Sequence, residues 1–509
     1  MSPTAHLVIA PILLPLVAAI AMLVIGSRRV ALQRAVGLAS CLGLVALAAL
    51  LAWHADRGGT SVYLVGNWAA HLGIALAVDR LAAIMLLATS LLALPCLLFA
   101  TGGWDRRAGH FHVFFQLQLM GLNGAFLTAD LFNLFVFFEV LLISSYGLLL
   151  SGGRGPRLRS GLQYVAFNIA ASTLFLVAVG LIYGITGALN MAELAHRVAQ
   201  VPAADAGPLR AAAGLLLVVF CSKAALLPLY FWLPETYGAA TAPVAALFAI
   251  MTKVGAYAIL RTATLLFGDT DTALANLFEP WLLPLALATL GIGMLGALAA
   301  ESLGRLAAYL VVASVGTLLT AFTLGAAGIA AGLYYLSHGT FASAALFLLA
   351  DAIRRRRPAN ADRLRPGPDL PRHALWGALF FVAAIAAAGL PPLSGFLGKF
   401  LLLRAAPGQP LVWLVILLGA LAGVIALAGA GSRLFLSSST ADGAPLQQPL
   451  PLGAAGAPTP RELLAVSGLL GLIAALTLGA GPAVEFAQAT AAQLLAPAAY
   501  IHAVLGVTP

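Results

Sequence analysis

Lysine occurs three times in this chain of 509 residues, at Lys223, Lys253 and Lys399, and each one interrupts an apolar run. The other basic residues are arginines, gathered between such runs or at their ends. A charge near the middle of a bilayer costs about 3 kcal/mol on insertion scales. Lysines held to the costly places and absent from the cheap ones are not there for solubility. Unlike a guanidinium, a desolvated ammonium can release its proton. Two further ionisable side chains share such surroundings: Glu139 in LFNLFVFFEVLLISSYG and His338 in YYLSHGTFASAALFL.

Lys223 precedes Pro228 in CSKAALLPLYFWLPETYG, and Lys399 follows Pro391 and Pro392 in GLPPLSGFLGKF. Proline interrupts a helix and frees backbone carbonyls that must be satisfied inside the protein. A lysine beside a broken helix is a common way to build a proton or ion path. Glu139 is either a structural glutamate bonded to a neighbouring helix or the partner of Lys223. As a pair, each lowers the other's cost of burial, so moving one charge switches the other. Lys253, in ALFAIMTKVGAYAIL, lies too deep in its run to snorkel comfortably. His338 is either a satisfied core histidine or a relay that works near neutral pH, with Ser337, Thr340 and Ser343 to hold water beside it. Lys399 completes a row of Glu139, Lys223, Lys253, His338 and Lys399, although Arg404 brings the end of its helix near an interface.

Four other charged groups have simpler readings. Asp130 caps the run that begins at Leu131, Glu235 sits in a solvated turn, Glu301 and Arg305 pair at i,i+4, and Asp351 neutralises part of the Arg354–Arg357 block. The cysteines (Cys41, Cys96, Cys221) stand singly in apolar segments. No metal-ligand cluster, nucleotide-binding glycine loop or Ser/His/Asp arrangement occurs, so no cofactor is expected.

These residues require long apolar elements to hold them. At 61% hydrophobic and 9% charged, with mean hydropathy +1.00, the composition excludes a soluble domain and specifies a polytopic, all-α membrane protein. The net charge of +9 does not point to nucleic acid, because the arginines are spread over short loops. Hydropathy predicts about fourteen spans of roughly 20 residues, near 8–26, 31–53, 78–101, 110–128, 131–151, 161–184, 211–233, 240–262, 279–299, 303–324, 327–350, 374–403, 411–432 and 463–483. Without a basic n-region, the first run reads as a spanning helix rather than a cleaved signal. With the N-terminus outside, eighteen arginines fall in cytoplasmic loops and six on the opposite side. That asymmetry predicts both termini on the periplasmic side of a cell inner membrane. The segment 433–462 reads as a Pro/Gly/Ala-rich linker to a final helix.

The motifs MGLNGAFLTADLFNLFVFFEVLLISSYGLLL, KAALLPLYFWLPETYGAATAPVAALFAIMTKVGAY, YYLSHGTFASAALFL and GLPPLSGFLGKF carry a resemblance that covers nearly the whole chain. It resembles the antiporter-like subunits shared by respiratory complex I and the multisubunit (Mrp-type) cation/proton antiporters, above all the D-type subunit of the latter. The stretch Pro228-Leu-Tyr-Phe-Trp232 lacks the histidine often found there in complex I relatives, and the chain ends soon after the fourteenth helix. The resemblance implies two inverted five-helix repeats around a hydrated midplane axis. Its proton-handling positions fall on Glu139, Lys223, Lys253, His338 and Lys399. It also implies partner membrane subunits and monovalent cations, with sodium expected, exchanged against protons. The chain then divides into N-terminal helices (1–128), a first repeat core (129–262), a second repeat (263–436) and a linker with the last helix (437–509). The rival readings are a membrane-arm subunit of an NADH–quinone or hydrogenase-type complex, and a scaffold for partner subunits.

Overall fold

The computed structural model describes residues 6–153, 155–202, 204–268, 275–357, 360–366, 370–436 and 459–506. Inside hydrocarbon every backbone polar group must find its partner within the chain, and the helix does this locally. Helices α1 (His6–Ile25) and α2 (Val30–Gly58) lead to a small antiparallel hairpin, β1 (Ser61–Leu64) and β2 (Ala75–Val78), in which Ser61 faces Val78. Next come α3 (Arg80–Ala100), α4 (Phe111–Leu127), α5 (Leu131–Leu150), α6 (Pro156–Thr186) and a short α7 (Met191–Ala199). The first break lies between α8 (Ala206–Ala224) and α9 (Trp232–Ala239), and α10 (Ala242–Phe248) and α11 (Met251–Leu266) follow. The second half comprises α12 (Glu279–Leu298), α13 (Leu303–Phe322), α14 (Gly325–Arg356), α15 (His373–Ala388), α16 (Ser394–Arg404) and α17 (Pro410–Gly431). The chain closes with α18 (Pro460–Leu478), α19 (Ala480–Leu495) and α20 (Ala498–Leu505).

Among the described residues, twelve helical segments are long and apolar enough to cross a membrane, with α10 and α11 counted as one. The protein is an all-α polytopic membrane protein whose hairpin is a minor addition. Side-chain caps fix several helix starts: Asp79 accepts from Ala82 N–H, Asp130 from Asn133 N–H and Ser302 from Arg305 N–H. Thr459 and Glu462 form a capping box on α18. The centre of the bundle is α10–α11, α13 and α14, each almost wholly buried, while α1, α2, α17 and α18 turn most of their surface outward.

Several expectations need correction. The run 240–262 is not one helix, since a turn at Ala249–Ile250 separates α10 from α11. The last apolar run does not end the fold: α19 follows α18 after Gly479 and packs on α14 and α3. Glu235 lies within α9 rather than in a loop, and it takes Arg305 as its ion-pair partner in place of Glu301. The linker expected at 433–462 falls mostly (437–458) outside the described residues, and up to Leu436 the chain is still helical.

Candidate functional site

Two helices end within the bundle in the same way. After α8, Ala225 adopts left-handed backbone (φ 60°), Leu226 N–H donates to the Cys221 carbonyl at 2.9 Å, and Ala225 N–H to that of Ser222 at 3.3 Å. After α15, Gly389 does the same (φ 75°), with Leu390 N–H donating to Ile385 at 3.1 Å and Gly389 N–H to Ala386 at 3.0 Å. Both are Schellman endings, and the prolines follow where a helix has already stopped. The last turn of each helix still leaves carbonyls without an intrahelical donor. Trp232 Nε1 donates to the Ser222 carbonyl at 3.1 Å, and Lys399 Nζ donates to the Ala388 carbonyl at 2.8 Å. The lysine of the second break therefore completes the helix end that the break exposes.

Lys223, in the last turn of α8, is buried and donates to Asn168 Oδ1 (3.2 Å) and Ser172 Oγ (3.3 Å), both on α6. The expected partner Glu139 makes no direct ion pair with it, and both acceptors of Lys223 are neutral. Glu139 Oε1 is buried and has no hydrogen-bond partner among the described residues. Neutral acceptors hold the Lys223 side chain in place without fixing the carboxylate to it.

Lys253 occupies the first turn of α11, just past the turn at Ala249–Ile250. Its side chain is fully buried, and among the described residues Nζ has no partner, as is also true of Thr252 Oγ1 beside it. A buried ammonium with neither counter-charge nor acceptor is costly. Gly255 lets α11 approach this closely: a Cβ there would lie 2.5 Å from the Ala224 nitrogen and 2.9 Å from the Lys223 carbonyl carbon.

His338, buried in the middle of α14, reaches Ser394 Oγ with Nδ1 at 2.9 Å, and Ser394 opens α16. Lys399 lies further along α16. Its side chain crosses Gly389, where a Cβ would stand 2.9 Å from Lys399 Cδ. The ring of Tyr335, a turn before His338, lies 5.8 Å from the imidazole. The helices that carry these groups pack in succession: α5 on α6, α6 on α8, α8 on α11, α11 on α13, α13 on α14, and α14 on α16.

Sequence reading missed several of these partners. Asn168 and Ser172 leave a trace, two polar residues at i and i+4 on an apolar helix, and Ser394 stands within the GLPPLSG motif. The buried pair Arg261–Asp79 (2.6 Å) left none, because Arg261 reads as a helix-end arginine. Asp351 does neutralise the arginine block, pairing with Arg354 and Arg355, and Glu462 joins it from α18 by binding Arg355 and Arg356. Asp105, in the loop between α3 and α4, is desolvated, but hydrogen bonds from Arg34 and His112 outweigh the burial and hold its carboxyl down to about 2.

Residues 128–426 match the family described as NADH:quinone oxidoreductase/Mrp antiporter, TM. A curated relative, the D subunit of a probable K(+)/H(+) antiporter of Rhizobium meliloti, is 41% identical over 98% of this chain and 97% of its own length. The chain belongs to this family. The D subunit of the Na(+)/H(+) antiporter of Bacillus subtilis is 36% identical over 98% of the chain and 99% of its own. Among solved structures, a chain of the Mrp complex from Dietzia sp. DQ12-45-1b superposes with a TM-score of 0.86 at 30% identity, covering 99% of this chain and all of that one. A chain of respiratory complex I from Thermus thermophilus has a TM-score of 0.77 at 23% identity, covering 96% of this chain and 99% of its own, a likeness of fold. All five candidate residues lie within the segment that matches the family.

Proposed function

We propose that this protein is the proton-translocating, D-type subunit of a multisubunit monovalent cation/proton antiporter of the inner membrane, working beside other membrane subunits. The observation that carries the reading is the coincidence of buried lysines with helix interruptions: Lys223 before the first, Lys253 after the turn at Ala249–Ile250, and Lys399 after the break at Gly389. Glu139 and Lys223 act as the switching pair, Lys253 and His338 as the relay, and Lys399 as the terminal site. The succession of packed helices supports hand-over from one station to the next, with water completing the gaps.

In this reading the chain crosses the membrane fourteen times, the twelve long segments being joined by α4 and by the broken pair α15–α16. Residues 129–262 and 263–436 form two inverted repeats, preceded by the helices of 1–128 and followed by the linker and end of 437–509. The arginine-rich face is cytoplasmic and both termini are periplasmic.

The relatives' names divide between sodium and potassium, and we assign sodium as the exchanged cation. The test is a dye-quench assay in everted membrane vesicles from an antiporter-deficient host expressing the whole gene cluster. Added Na+ should discharge the proton gradient, and discharge by K+ alone would reassign the cation. Failure of both, with proton uptake appearing on addition of a quinone-linked electron donor, would replace the reading with a membrane-arm subunit of a redox complex.

A further inference from the structure

At the arginine-rich face, the start of α2, the end of α3 and the start of α18 enclose a pocket of about 490 Å³ lined by Arg34, Thr101, Gly102, Arg106 and Arg461. Its charge is unbalanced. Asp105 neutralises Arg34, while Glu462, the acid nearest on α18, is taken up by Arg355 and Arg356. Arg106 is exposed, and Arg461 is fixed over the pocket by a bond to the Thr101 carbonyl at 2.9 Å. Among the described residues, two guanidinium groups therefore face this pocket without a carboxylate.

An apolar strip leads away from it. Along α3, Ile84, Leu87, Leu91, Leu94 and Leu98 are the half-exposed residues in a helix otherwise buried on most sides. Their spacing of three and four puts them on one face, and Thr101 continues that face into the basic pocket. Helices α2 and α18 both pack against α3, and Gly468 of α18 lies over Pro95. Leu91, Leu87 and Ile84 then help line a second, apolar cavity of about 280 Å³ walled by α2, α3, α14, α18 and α19. At 1.5 Å per residue, Leu91 is roughly 15 Å from Thr101, which is the depth of one leaflet of a 30 Å hydrocarbon core.

We propose that this face holds one anionic phospholipid, its phosphate between Arg106 and Arg461 and an acyl chain along the α3 strip with its last carbons at the mouth of the apolar cavity. Basic pockets between membrane helices at the charged face suit such headgroups. Charge at one end and a strip one leaflet long at the other select a lipid over a free phosphate ion or a peptide.

The experiment is native mass spectrometry of the intact complex, purified in detergent and incubated with dioleoyl-phosphatidylglycerol, dihexanoyl-phosphatidylglycerol or inorganic phosphate. One long-chain lipid should remain bound to this subunit. Arg106→Gln and Arg461→Gln should each weaken it about fivefold, and the double variant about 25-fold. Arg57→Gln, an exposed arginine stacked on Trp53 at the other end of α2, is the control and should change nothing. Equal binding of the dihexanoyl lipid, or displacement by millimolar phosphate, would overturn the proposal in favour of a simple anion site. A lipid that binds the separated chain but is absent from the intact complex would overturn it in favour of a partner subunit on the same strip. Retention unchanged in the double variant would overturn it outright.

Discussion

Replacing Lys223 by alanine or by arginine separates a switching charge from a fixed one. Alanine removes two hydrogen bonds, to Asn168 at 3.2 Å and Ser172 at 3.3 Å, and bonds from a charged donor are worth about 1.5–3 kcal/mol each. It also leaves a small void, at a cost of about 2 kcal/mol for a volume near 80 Å³. Against these losses stands the relief of no longer burying an ammonium, which is itself several kcal/mol. The terms nearly cancel, so the variant should assemble at normal levels with a stability change within about 2 kcal/mol. Exchange should nevertheless fall by about 100-fold or more, the usual contribution of a positioned proton-transfer group. Lys223→Arg keeps the positive charge and can still donate to both acceptors, yet a guanidinium does not give up its proton. It should fall as far as alanine. Dye-quench exchange in everted vesicles, normalised by immunoblot to the amount of this protein, measures both. Recovery of a third or more of wild-type exchange by arginine would mean that Lys223 is a static counter-charge, and near-normal exchange by alanine would remove it from the path.

Lys399→Ala should cost almost as much exchange as Lys223→Ala, and the double variant should be little worse than either, as for residues acting in series; substantial exchange in both single variants would show two independent half-paths. Gly255→Ala places a methyl 2.5 Å from the Ala224 nitrogen and should destabilise the protein by about 1–3 kcal/mol by overpacking. It should also lower exchange, and a thermal melt in detergent that matches wild type would contradict the close approach of α11 to α8. The Asp105 carboxyl, held down to about 2 from an ordinary 3.8, contributes about 2 kcal/mol of stability. Because its folded value is the lower one, that contribution is complete above pH 4 and is lost as the pH falls towards 2. Asp105→Asn should therefore melt lower than wild type at pH 6, with the gap closing in acid, and a gap that does not depend on pH would refute the ionic role.

The spans were legible because hydropathy is a local property: a helix in hydrocarbon needs about 20 apolar residues, whatever it packs against. The breaks were legible for a similar reason, since a proline marks a turn that a helix does not continue through, although the helices themselves end just before, at Ala225 and Gly389. The turn at Ala249–Ile250 carries no proline or glycine at either position, and the run reads as continuous. Only the packed bundle, with α10 against α14 and α11 against α8, shows the interruption there.

The sequence by itself determined the chemical inventory: three lysines, one glutamate and one histidine stranded in apolar runs, and arginines crowded towards one face. A charged side chain in hydrocarbon is costly enough to be conspicuous without knowledge of its neighbours. What each group touches was decided by tertiary structure alone. Lys223 finds its acceptors 51 and 55 residues away on α6. Arg305 passes over Glu301, one helical turn from it, for Glu235, 70 residues away. Glu462 meets its arginines across 106 and 107 residues. The reason is physical: cost of burial depends on the residue and its immediate run, whereas the partner that offsets it depends on which helices the fold brings side by side.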